Sequence, residues 1–154
     1  MTRHSDTPQQ LSLLDWVPPN PVVRFDPRLI RANQFTSRLS RAISVSLETC
    51  GRTREQIAAE MSAMLEKPVS INMLNAYASV QREGHQISVP RFDALISATQ
   101  DRRLLEFMAE PFGWAVIERR YLPAIELAAV SEHKKELTRR ENALRRQAMR
   151  GGSW

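Results

Sequence analysis

The sequence predicts an all-α protein with an extended N-terminal arm and a long basic C-terminal helix. Apolar residues recur at the spacing that one face of a helix requires. Ser and Thr residues stand where these apolar runs begin, as helix N-caps do, and prolines stand near their ends. These observations divide the chain into an arm over 1–32, a helical domain over 33–120 and a basic helix over 121–154.

Composition limits the class of protein. Hydrophobic residues make up 42% of the 154 residues and charged residues 25%, which is enough apolar surface for a globular core. The single cysteine, Cys50, excludes an intramolecular disulfide and fits a reducing compartment. The first 15 residues lack the apolar centre of a signal peptide, and no stretch of 18 apolar residues occurs. We therefore expect a soluble, cytoplasmic protein without membrane association.

The net charge of +5 is concentrated at one end of the chain. Residues 1–132 contain 15 basic and 15 acidic residues, whereas residues 133–154 contain 7 basic and 2 acidic residues. The body is neutral and the tail supplies the whole excess. A basic segment of this kind favours an acidic partner, most often nucleic acid. The alternative is an ordinary solvated helix end.

The N-terminal arm contains five prolines within its first 30 residues. Its segment "LLDWVPPNPVVRFDP" favours an extended backbone, close to polyproline II around 18–21. Leu13, Trp16 and Phe25 make the arm too apolar for a free tail. We expect it to pack on its own domain or on a partner protein, which residues 11–27 would contact.

Two helices are expected before residue 68. The first should extend over 27–50 or 33–50 and end at Gly51, because glycine takes the left-handed C-terminal conformation without penalty. The second should begin after Thr53, where "TREQ" forms a capping box between Thr53 and Gln56. Pro68 should end this second helix.

The third helix lies in "VSINMLNAYASV", with Ser70 as its N-cap. Its inward stripe should consist of Ile71, Leu74 and either Tyr77 or Ala78. The fourth and fifth helices should be capped by Ser88, with Pro90 in the first turn, and by Asp101, with Pro111 ending the fifth. The short apolar run "FGWAVI", which contains Trp114, is either a strand or an apolar plug in the core.

After Pro123 a long helix should continue to about Met149. The pairs Glu136–Arg140 and Glu141–Arg145 have the favourable i,i+4 order. Val130, Leu137 and Leu144 are seven residues apart, which is half of a coiled-coil seam. The helix could therefore pair with a second copy. Alternatively, its arginines could follow DNA phosphates.

The segments "TREQIAAEM" and "VSINMLNAYAS" resemble the helix-turn-helix of phage repressor-type transcription regulators. In that family a Val-Ser pair enters the recognition helix, an aliphatic residue follows four positions after the Ser, and an aromatic residue three later. Val69-Ser70, Leu74 and Tyr77 match this pattern. The downstream "ISVPRFDALISATQDRRLLEFMA" resembles the helical support of CII-type regulators, so the resemblance covers about 35–117.

The resemblance implies a repressor-like helical domain that regulates transcription by sequence-specific DNA binding. It further implies a phage or mobile-element origin, a place in the bacterial cytoplasm or nucleoid, and a third helix over 70–79 that reads the major groove. Double-stranded DNA is the expected partner. A homodimer or higher oligomer is expected too, since one short helix reads few bases.

The side chains of the third helix agree with this interpretation. An Asn side chain can bond adenine N6 and N7 together, and Asn72 and Asn75 point away from the inward stripe. Phosphate contacts would position this surface. The expected groove contacts are Ser70, Ile71, Asn72, Asn75, Ala76 and Ser79. The expected phosphate contacts are Thr53, Arg54, Arg82, His85, Arg139, Arg140, Arg145 and Arg146. The alternative is that both Asn residues are merely solvated.

Catalytic chemistry is not indicated. The three histidines are far apart, and no phosphate-binding glycine loop, nucleophile with a base, or paired carboxylates occur. We therefore expect no enzyme, no metal site and no cofactor. Two other functions stay open: a protein-binding adaptor or inhibitor that uses the apolar arm, with the helix-turn-helix as scaffold only, and a protein that coats DNA without sequence preference.

Overall fold

The computed structural model describes residues 20–81 and 84–151, and these contain helices and no strand. The all-α prediction is therefore confirmed for this part of the chain. Two short 3-10 turns cover Glu110–Phe112 and Arg119–Tyr121. The α-helices are α1 Phe35–Thr49, α2 Arg54–Leu65, α3 Ile71–Tyr77, α4 Val89–Thr99, α5 Arg103–Ala109 and α6 Leu122–Gly151.

Helices α1 to α5 share one apolar core. α2 packs on α4 and α3, and α1 packs on α3 and α5. The helices meet through side chains that are removed from solvent almost completely, which is where most of the stabilising free energy of burial arises. These side chains are Ile43, Ile57, Met61, Leu74, Leu95 and Leu104. The short helix α3 is therefore held from behind by two longer helices.

The helix ends follow the sequence signals in α1 and α2. Gly51 has a φ of +74°, the left-handed value expected after α1. Thr53 forms the capping box: its hydroxyl oxygen accepts from the Gln56 backbone N–H at 3.2 Å, and its own N–H donates to Gln56 Oε1 at 3.0 Å. α2 ends at Leu65, before Pro68, because Glu66 takes a left-handed conformation with a φ of 50°.

The starts of α4 and α5 differ in part from the expectation. Ser88 is the N-cap residue of α4 and Pro90 lies in its first turn, but the Ser88 side chain makes no cap hydrogen bond. Arg102, not Asp101, is the N-cap residue of α5. The Asp101 carboxylate nevertheless accepts from the Arg103 N–H at 3.1 Å and from the Arg103 guanidinium at 2.7 and 2.8 Å.

The described part of the arm packs on its own domain, as one of the two alternatives proposed. Phe25 and Ile30 are buried in the shared core. Arg24 forms ion pairs with Glu106 at 3.2 Å and with Glu110 at 3.3 Å. Residues 1–19, which include the apolar part of the arm around Trp16, lie outside the described residues.

The "FGWAVI" segment is neither a strand nor a core plug, so both expectations are wrong. Trp114 is 70% exposed and Phe112 68%, with ring centroids 5.5 Å apart. The segment is anchored by its backbone instead. The buried carboxylate of Glu106 accepts the Val116 N–H at 2.7 Å while it also accepts from Arg24. A hydrogen bond to a buried carboxylate thus holds this segment, in place of the buried Trp114 ring that the sequence suggested.

Helix α6 is the longest element, and none of its 30 residues is buried. Its bounds agree with the expected helix from Pro123 to about Met149. The Glu141–Arg145 pair forms at 2.6 Å, whereas Glu136 pairs with Arg139 at 3.4 Å instead of with Arg140. On the helix surface i,i+3 and i,i+4 partners are equally near, so either can form. Among the described helices, none is both long enough and apolar enough to cross a bilayer.

Candidate nucleic-acid interface

The connection between α2 and α3 is fixed by its own hydrogen bonds. The Ser62 hydroxyl donates to the Ala58 carbonyl oxygen at 2.7 Å and accepts the Val69 N–H at 2.8 Å. Val69 is buried, and Glu66 turns the chain through its left-handed conformation. These contacts tie the end of the link to the body of α2, so the angle between the two helices is set within the fold.

Helix α3 begins where Ser70 predicts. The Ser70 hydroxyl oxygen accepts the Met73 N–H at 3.2 Å, which satisfies one free donor of the first turn. Leu74 and Tyr77 are buried, and Ile71 and Ala78 are packed against the core while partly exposed. The Tyr77 hydroxyl accepts from the Arg91 guanidinium at 2.5 Å. The inward stripe is therefore confirmed, and its aromatic residue is locked to α4.

The outward side of α3 is small and polar. Ser70, Asn72 and Asn75 are exposed, and Ser79 is partly exposed. Ala76 is buried, with 3% of its surface exposed, so the expectation that it lies on this outward surface is wrong. Because α3 packs against both α1 and α2, its buried arc is wider than the single stripe inferred from the sequence.

Arg54 joins the beginning of α2 to the outward side of α3. Its guanidinium donates to Asn75 Oδ1 at 2.6 Å, across 21 positions of the chain. The amide oxygen has two lone pairs, so this bond leaves one free, and it directs the amide nitrogen away from Arg54. The sequence placed both residues in the interface but gave no signal of their bond, since long-range side-chain contacts depend on how the helices pack.

The other expected phosphate contacts are spread around α3. Thr53 is exposed at the start of α2, beside Arg54. His85 is exposed and, together with Ser79, Ser37 and Phe35, lines an open cavity of about 460 Å³ between the start of α1 and the α3–α4 loop. Arg82, the remaining body candidate, lies outside the described residues.

The α6 arginines form a separate surface. Arg139, Arg140, Arg145 and Arg146 are all exposed, and α6 buries none of its residues against the helices around α3. The hydrogen bonds of Arg139, Arg145 and Arg146 stay within α6. Arg139 and Arg146 are seven positions apart and share one side of the helix. The fold thus brings Arg54 to α3 and does not bring the tail arginines there.

Comparison of the chain with models of protein families, with curated proteins and with solved structures found no match.

Proposed function

We propose that the chain is a sequence-specific DNA-binding regulator that places α3 in the major groove, as its resemblance to phage repressor-type and CII-type regulators suggests. The observation that carries the proposal is the outward surface of α3. A seven-residue helix buries Leu74, Ala76 and Tyr77, carries no charged residue and exposes the side chains of Asn72 and Asn75. A short polar surface of this kind fits the major groove, which admits one α-helix.

The Arg54–Asn75 bond supports a recognition role for Asn75. An Asn that reads adenine must present its oxygen to N6 and its nitrogen to N7 in one orientation. Arg54 holds the amide oxygen and therefore reduces the number of orientations that the free protein samples. Preorganised side chains lose less conformational entropy on binding.

Affinity would come from phosphate contacts and from a second subunit. The neutral body offers Thr53, Arg54 and His85 next to α3, while the excess positive charge lies on α6. We infer that α6 contributes the sequence-independent contacts. We also infer that the protein binds as a dimer, because one helix of seven residues reads only a few base pairs.

The test is a selection of bound duplexes from a random pool, repeated at two salt concentrations. The parent should enrich a defined motif that contains adenines, and the double variant Asn72→Ala, Asn75→Ala should lose that motif. Each lost bidentate contact corresponds to about 1–3 kcal/mol of discrimination. Asn33→Ala, an exposed Asn outside α3, is the matched control and should retain the motif. A double variant that selects the parent's motif would overturn the proposal.

The selection also separates the competing functions. Equal affinity for all duplexes would indicate a protein that coats DNA without sequence preference. Failure to bind any duplex would favour a protein-binding adaptor or inhibitor that acts through residues 11–27. The described part of that segment offers little to a partner, since Phe25 is buried, although Val23 is 37% exposed. A nuclease-resistant complex captured from the native host would support the adaptor.

A further inference from the structure

Helix α6 exposes an apolar stripe along most of its length. Leu127, Val130, Leu137 and Leu144 are 67%, 65%, 53% and 58% exposed. At about 100° per residue, they and Ala148 lie on one side of the helix. In proteins, most of the stability of a helix comes from packing its apolar stripe against another element. Helices α1 to α5 do not cover this one, because no residue of α6 is buried.

Two charged residues interrupt the stripe and select how a second copy can pair with it. Lys134 lies between Val130 and Leu137, and Glu141 lies between Leu137 and Leu144. Parallel pairing in register would place Lys134 against Lys134 of the second copy and Glu141 against Glu141, and like charges in a seam are destabilising. Lys134 and Glu141 therefore disfavour a parallel dimer, although the apolar residues of the stripe favour pairing.

Antiparallel pairing removes this conflict in one register. When the two-fold axis passes between positions 137 and 138, Leu127 lies level with Ala148 of the second copy, and the pairs Leu137 with Leu137 and Val130 with Leu144 are each within one residue, about 1.5 Å, of being level. Lys134 then faces Glu141 of the second copy, and the symmetry gives this contact twice. The stripe is thus self-complementary, as a two-fold symmetric interface requires.

The charge along α6 favours the same orientation. Residues 122–136 contain three acidic and two basic residues, whereas 137–151 contain one acidic and five basic residues. Antiparallel pairing sets the acidic half of one helix beside the basic half of the other. It also opposes the two helix dipoles, which is favourable.

We propose that α6 forms an antiparallel two-helix coiled coil with α6 of a second copy, centred on Leu137. The 30 residues provide about four heptads and an overlap of about 45 Å. Lys135, Arg139 and Arg146 lie on the opposite side of the helix and stay available for other contacts. This pairing goes beyond the proposed function, since it holds whether or not the protein binds DNA.

A charge-exchange series tests the pairing by sedimentation equilibrium on the full chain. Lys134→Glu alone, or Glu141→Lys alone, creates two like-charge contacts in the antiparallel dimer and should raise the dimer dissociation constant about tenfold. The double exchange should restore it to within about threefold of the parent. Lys135→Glu changes the charge equally on the opposite side and should leave it unchanged. Single variants that dimerise like the parent, or a double variant no better than the singles, would overturn the proposal.

Disulfide cross-linking identifies the orientation independently. In a Cys50→Ala background, Val130→Cys and Leu144→Cys chains are mixed and oxidised. Antiparallel pairing predicts a disulfide between the two different chains and little between identical ones. Disulfides between identical Val130→Cys chains would indicate a parallel dimer. A chain that stays monomeric at every concentration would indicate that another part of the protein covers the stripe. Either result contradicts the proposal.

Discussion

The helical body over 20–121 and helix α6 are stabilised in different ways. Five helices of the body share a core in which Ile43, Leu74 and Leu95 are almost fully buried, whereas α6 buries no residue. The geometry of the body is therefore fixed by packing, whereas the ion pairs of Arg139 and Arg145 on α6 lie within that helix. The surface that we propose to read DNA lies on the first region, and the tail arginines that we propose as phosphate contacts lie on the second.

The two regions also use their arginines differently. In the body, Arg91 donates to Tyr77, Arg103 to Asp101, and Arg52 to Glu60 and the Ala98 carbonyl oxygen. On α6, the ion pairs of Arg139 and Arg145 are exposed pairs within one helix, which contribute little to stability. These body arginines thus connect elements of the fold, whereas Arg139 and Arg145 bond within α6.

The largest expected difference comes from truncating one leucine in each region. Leu74→Ala removes a side chain with 0% exposure and should lower the free energy of unfolding by about 3 kcal/mol. Leu137→Ala removes one that is 53% exposed and should change it by less than about 0.5 kcal/mol in dilute protein. Urea denaturation measures both. Equal losses would mean that α6 packs on the body.

A smaller effect is expected at the Asp101–Arg103 ion pair in the body. Burial by itself raises the pKa of the Asp101 carboxyl, but hydrogen bonds from Arg103 and its charge outweigh this effect and lower the pKa below the usual value. A lowered pKa in the folded state means that the unfolded chain binds more protons in acid. Its contribution is therefore complete above the usual aspartate pKa of about 3.9 and is lost as the pH falls through the folded value.

Asp101→Asn should accordingly lower the free energy of unfolding by about 2 kcal/mol at neutral pH, the value of a charge-assisted hydrogen-bonded pair. It should also make the decline of stability with acid less steep. Denaturation between neutral pH and pH about 2 shows both effects. Asp93→Asn on the exposed side of α4 is the control. A variant with the parent's acid profile would show that Asp101 does not carry this dependence.

The loss of one helix cap should have a still smaller effect. Thr53→Ala removes the capping oxygen of α2 and should lower the free energy of unfolding by about 1 kcal/mol. Thr138→Ala in α6 removes a hydroxyl that only donates to the Lys134 carbonyl oxygen within the helix, so no loss is expected. Thermal denaturation of both variants compares the regions directly. A larger loss of the free energy of unfolding in Thr138→Ala than in Thr53→Ala would contradict this prediction.

Replacing two arginines of the tail should have the smallest effect on stability and a selective effect on binding. Arg139→Gln with Arg146→Gln should leave the free energy of unfolding within about 0.5 kcal/mol of the parent. If both arginines neutralise phosphates, the slope of log affinity against log salt should decrease by about 1.8. Arg28→Gln with Arg31→Gln, two exposed arginines of the body, should keep the parent's slope. An unchanged slope in the tail variant would exclude these arginines from the interface.

Local sequence signals predicted the helices well where the cause is local. The capping box at Thr53, the cap at Ser70 and the left-handed Gly51 all depend on residues within four positions. Two local signals failed in part, since Ser88 makes no cap hydrogen bond and Arg102 is the N-cap residue in place of Asp101. The prediction for the segment around Trp114 failed as well. Trp114 is 70% exposed, and the segment is held by the bond from the Val116 N–H to Glu106, ten positions earlier, which no pattern around Trp114 indicates.

In the candidate interface too, some features follow from local periodicity and others from tertiary packing. The exposed positions of Asn72 and Asn75 follow from helical periodicity, which the sequence displays. The burial of Ala76 depends on α1 and α2 enclosing α3 from two sides, and the Arg54–Asn75 bond depends on the angle between α2 and α3. These are properties of tertiary packing, so periodicity alone could not supply them.

If α3 binds DNA as proposed, the hydrogen-bonded link between α2 and α3 bears on the rate of that binding. Ser62 ties the link to α2 in the free protein, so the outward surface of α3 exists before any encounter. A surface that had to form after contact would add a slow, concentration-independent step to association. A surface that already exists needs only collision in the right orientation. The speed with which α3 engages a partner would then be governed by diffusion and by the charges on α6, and not by refolding of the link.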